Sequence, residues 1–113
     1  MTRVTRMYVR SVLTAVACLV WAATPVLAQP VRHVVLIQGA SGEPQFAEQH
    51  RGWLDQVATT MRDSFKLDAS HLSVLAEKPA AGERRATSEE VKATLGRIAQ
   101  TATASDIVFV MLI

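Results

Sequence analysis

The chain has 113 residues, with 12 Lys and Arg against 10 Asp and Glu, so it is formally +2. Half of it is apolar, and it carries a single cysteine. Arg3, Arg6 and Arg10 supply the basic excess, which leaves residues 29–113 with nine cations, all ten acids and a charge of −1. No basic stripe remains there, so composition argues against a nucleic-acid partner.

The three arginines precede a nearly continuous apolar run from Ser11 to Ala23, and Val26-Leu27-Ala28 follows with small residues where a signal peptidase reads. This pattern predicts a secretory signal peptide over residues 1–28, cut after Ala28. The run is shorter than the roughly 20 apolar residues a membrane span needs. No membrane association is therefore expected once the signal is removed, and the destination is periplasmic or secreted. Cys18 lies inside the apolar core rather than just after it, so it does not read as a lipid-attachment cysteine. Residues 29–113 contain no cysteine and hence no disulfide.

Residues 31–38 predict a strand centred on His33 to Ile37, apolar without alternation, as in a parallel sheet covered on both faces. Gly39, Ala40, Ser41, Gly42, Glu43 and Pro44 make a loop. Residues 45–66 predict a helix with Trp53 or Leu54, then Val57, Ala58, Met61 and Phe65 on one face, its start weakened by Gly52. A short strand over residues 71–76 comes next, and a flexible polar connection over 77–85. Thr87 and Glu90 have capping-box spacing and open a helix carrying Val91, Leu95, Ile98 and Ala102. Asp106 leads a final strand, 107–113, which is wholly apolar and expected to be buried. The order strand, helix, strand, helix, strand implies an α/β fold, a mostly parallel three-layer sheet with flanking helices. Three buried strands with two helices, and an apolar run reaching Ile113, lead us to expect further chain and a larger domain.

Few residues carry recognisable chemistry. His33, His50 and His71 are 17 and 21 residues apart, match no compact metal-ligand spacing, and are expected at element boundaries or on the surface. The loop after the first strand fails the dinucleotide-binding glycine spacing. Ser41 has Gly39 two residues before it but Glu43 two after it, so it is no nucleophile elbow. No catalytic, metal or cofactor residue is assigned, and no cofactor is expected. Asp106 is expected to cap a turn, and Glu83, Arg84 and Arg85 to be a solvated patch.

The opening strand with its small-residue loop, the helix through Trp53 and Phe65, the strand ending at Ala76, the helix opened by Thr87 to Val91, and the Asp106-led strand together resemble a known pattern. They are similar to the first half of the caspase-like peptidase fold, closest to its legumain-type branch, over essentially all of residues 29–113. That resemblance implies a catalytic His just after the last strand and a nucleophilic Cys at the end of the next, both beyond residue 113. It also places the loop near the active-site end, so that Ser41 and Gly42 would rim a cleft for a peptide or protein substrate. These 113 residues alone would then be inactive scaffold. The alternatives are an exported module of the same architecture without the dyad, and an unrelated doubly wound domain binding a small ligand at its switch point.

Overall fold

The computed structural model describes residues 29–113, and the signal-peptide expectation lies outside them. Strand β1 (Arg32–Ile37) leads to helix α1 (Pro44–Asp63), a short 3-10 turn (Ala69–His71) and strand β2 (Leu72–Ala76). A two-residue strand β3 (Arg84–Arg85), helix α2 (Ser88–Thr101) and strand β4 (Ile107–Leu112) follow. The sheet has the order β3-β2-β1-β4, and all its pairings are parallel.

Parallel strands must be covered on both faces, and the unbroken apolar run of β1 serves that need. Val34 and Leu36 point to one face and pack with Leu54 and Ala58 of α1 and with Val74 and Ala76 of β2. Val35 and Ile37 point to the other, where Leu75, Val91 and Ile98 join them. The two helices therefore lie on opposite faces, and the described residues form a small three-layer α/β domain. Among them, no helix is long and apolar enough to cross a membrane.

Three local expectations need correction. Pro44 opens α1 rather than preceding it, because its missing N–H costs nothing in a first helical turn. The helix also runs unbroken through Gly52, since the burial of Leu54 and Ala58 outweighs one poor helix former. The connection over 77–85 is not merely flexible: Arg84 and Arg85 pair with Leu75 and Ala76 as the edge strand β3.

Thr87 caps α2 as its spacing implies, its Oγ1 accepting the Glu90 N–H at 3.2 Å. The reciprocal half of the box is absent, because the Thr87 N–H donates to the Arg85 carbonyl and the Glu90 carboxylate faces Arg84. Thr87→Ala should therefore cost about 1 kcal/mol, the worth of one cap. Urea unfolding of the two proteins side by side measures it.

Strand β4 departs most from expectation. It was expected to be buried, yet Ile107, Val108, Phe109, Val110 and Leu112 are all well exposed. The cause is topological. β4 is the outer strand beside β1, and among the described residues nothing pairs with its free edge. Only Met111 and Ile113 reach the α1-side core. A shallow cavity of about 210 Å³ opens between this strand and α1, lined by Met61, Phe65, Ile107 and Phe109.

Candidate functional site

In an open parallel sheet, ligands collect outside the strand C-termini at the point where chain order reverses. Here that point lies between β1, which is followed by β2 on one side, and β4 on the other. The backbone marks it. The Gln38 N–H donates to the Leu75 carbonyl on the β2 side at 2.9 Å. One residue later the Gly39 N–H donates to Ile113 on the β4 side, also at 2.9 Å. The loop from Gly39 to Gly42 therefore leaves the sheet directly over the reversal. Gly42 has φ +78 with open space around it, so its glycine answers a backbone demand rather than a steric one.

Ser41 is half-buried in this loop and donates its hydroxyl proton to Glu77 Oε2, just past the end of β2. It is not a free nucleophile. Gln38 is 3 % exposed, and its Oε1 accepts the Glu77 N–H at 3.3 Å. A backbone N–H can only donate, so this contact sets which end of the carboxamide faces Glu77. The Gln38 amide nitrogen is left without a hydrogen-bond partner among the described residues. Gln38 lines a cavity of about 520 Å³ between the end of β2 and the first half of α1, together with Glu48, Arg51, Asp55, Glu77 and Lys78.

Arg51 organises one wall. Its guanidinium meets both oxygens of Glu83 at 2.6 and 2.7 Å and those of Asp55 at 2.7 and 3.3 Å. The hydrogen bonds it donates to Glu83, then to Asp55, hold its proton more firmly than an ordinary arginine's. The same bond keeps the Glu83 carboxyl below its usual range. Glu83 was expected in a solvated patch, but its side chain is 11 % exposed because this fork holds it inward. Sequence reasoning missed Gln38, Glu77 and the Arg51–Glu83 pair. A polar residue ending an otherwise apolar strand, and the i,i+4 spacing of Arg51 and Asp55, were the available signals.

A second polar cluster sits at the opposite, N-terminal edge of the sheet. His33, expected at an element boundary or on the surface, lies at the start of β1 but is only 7 % exposed, with Nε2 at 3.3 Å from Asp106 Oδ2. The His71 ring lies edge-on to it at 5.2 Å, so two of the three histidines meet there. His50 stands apart on α1, stacked with Phe46 and Trp53. Among the described residues no three His, Cys, Asp or Glu side chains are grouped to hold a metal.

Asp106 caps the turn before β4, as its position implies. Its carboxylate also accepts from the backbone N–H of Val31 and from the N–H and hydroxyl of Thr103, each at 3.0 Å. The Val31 N–H, then those Thr103 donors, hold the carboxyl far below its ordinary range. With its acceptor capacity so occupied, the His33–Asp106 pair is a structural clasp rather than a catalytic relay.

No family model, curated protein or solved structure matches this chain.

Proposed function

We propose that this chain is the N-terminal scaffold of an exported cysteine-type endopeptidase of caspase-like fold, with its Cys–His dyad contributed from beyond residue 113. One observation carries this reading. The β1 loop and the end of β4 meet at one sheet edge, where the Gly39 N–H bonds to Ile113. A His placed just after β4, and a Cys after a further strand beside it, would arrive at the edge that already holds Ser41 and Gly42. There Ser41 and Gly42 would rim the cleft that takes a peptide or protein substrate. A thiolate needs a neighbouring imidazole to activate it and backbone donors to stabilise the oxyanion. The uncovered apolar faces of β4 fit the same picture, since a further strand would pair with its free edge and the helix crossing over to that strand would cover a face.

The intact mass and sequence of the product expressed from its native gene test the proposal. A polypeptide that starts at Gln29 and carries a His after β4 and a Cys after the next strand is the expected result. Such a product should be labelled by a thiol reagent and should cleave peptides. A product with the same fold in which either residue is replaced would instead be an exported binding or assembly module. A product ending at Ile113 would overturn the peptidase reading.

A further inference from the structure

We propose that the cavity between α1 and the end of β2 binds an α-ammonium group together with its neighbouring carbonyl oxygen, as carried by a free α-amino acid or by the amino terminus of a peptide. The inference does not rest on the peptidase reading, because every residue it uses is in the described chain.

Gln38 is the first observation. Its side chain is almost fully buried, its oxygen is engaged by the Glu77 N–H, and its NH2 group lines the cavity without a partner among the described residues. The donor is open to the cavity rather than sealed off, so a ligand that brings an acceptor can reach it. Lys78 lines the same cavity and adds a positive charge beside it.

The charge balance is the second observation. Glu48, Arg51 and Asp55 line the cavity from α1, and Glu77 and Lys78 line it from the end of β2. The Arg51 fork is already taken by Asp55 and Glu83. Glu77 gives one oxygen to Ser41, and Glu48 makes no hydrogen bond among the described residues. The unspent acceptors are therefore carboxylate oxygens of Glu77 and Glu48, which select a cationic donor. A ligand must then offer an oxygen acceptor to Gln38 and a charged N–H donor to Glu77. The α-ammonium and carbonyl of an amino acid are two bonds apart and supply both. The volume, about 520 Å³, is within the range of small-ligand pockets. Gly52 leaves the helix wall open, since a Cβ there would meet nothing within 4 Å.

Titration of the isotope-labelled full chain by NMR at neutral pH tests this with four probes: L-alanine, L-alaninamide, N-acetyl-L-alaninamide and Nα-acetyl-L-lysinamide. The Gln38 side-chain NH2 and the Glu77 amide should shift with one or both of the first two. Binding of L-alaninamide but not L-alanine identifies a peptide amino terminus, and the reverse identifies a free amino acid. N-acetyl-L-alaninamide, with the charge removed, should bind at least ~10-fold more weakly. Glu77→Gln, whose amide oxygen can still accept from Ser41, should weaken the charged probe by a similar factor. Because that change touches the loop, the exposed Glu48→Gln is the second variant, expected to weaken binding several-fold with the fold intact by circular dichroism. Equal binding of the acetylated probe, equal binding of the lysine side chain, or no shift at Gln38 up to ~10 mM would each overturn the proposal.

Discussion

Leu36→Ala should lower the unfolding free energy by about 3–5 kcal/mol. Leu36 is fully buried on the α1 face of β1, packed in one cluster with Leu54, Ala58 and Val74. Truncation removes its transfer free energy and leaves a cavity that a helix above and strands on both sides cannot collapse to fill. An 85-residue segment by itself has only a few kcal/mol in hand, so in the 113-residue chain the variant should be largely unfolded at 37 °C. Urea denaturation of the full chain, followed by circular dichroism, measures the effect. Val110→Ala on the exposed strand is the internal control, and its cost should stay under ~1 kcal/mol. A small loss for Leu36→Ala would mean that α1 does not pack on β1 as described.

Asp106→Asn should lower the melting temperature at neutral pH by roughly 5–10 °C. The carboxylate holds Val31, Thr103 and His33 together, which clasps the start of β1 to the turn entering β4. An amide of the same size retains one oxygen and puts a donor where donors already converge. The pH dependence separates loss of the charge from a general structural defect. Asp106 is held below its unfolded value of about 3.9. Its contribution is thus fully present above the ordinary carboxylate range and is lost as pH falls through the folded value. Asp68, held low by the Ser70 hydroxyl and N–H, and Glu83, held low by Arg51, add to the same acid slope. The melting temperatures of the native chain and Asp106→Asn should therefore converge as pH drops below about 4. A gap of constant size from neutral pH to pH 3 would sink the clasp.

Much of the fold was legible because it was written in short-range patterns. β1 carries the apolar run Val34 to Ile37 and β2 the run Val74 to Ala76, and Thr87 stands three residues before Glu90, so these strands and the second helix follow from local pattern and capping. Two things were not legible. Arg84 and Arg85 pair with β2 next to Glu83, which Arg51 holds from 32 positions away, and no local rule reports either contact. The exposure of β4 depends on its place at the sheet edge, whereas its apolar composition points to burial. The site shows the same division. Gly42 at a left-handed position and the loop at the strand end are sequence-readable. The unpaired amide of Gln38 is not, because it exists only once Glu77, 39 residues on, donates its N–H to the oxygen. The burial of His33 at the start of β1 was illegible for the same reason: its partner Asp106 is 73 residues distant.

The position of β1 has a consequence for how the domain is made. The first strand to emerge in synthesis is a central one, flanked by β2 and β4. Its second neighbour arrives late: the bond from Val31 to Asp106 spans 75 residues. Such long-range parallel pairing repays the entropy of loop closure only after nearly the whole segment exists, so the sheet cannot commit early. Until β4 arrives, β1 keeps an open edge. For a protein proposed to leave the compartment in which it is synthesised, slow, high-contact-order folding would keep it competent for translocation.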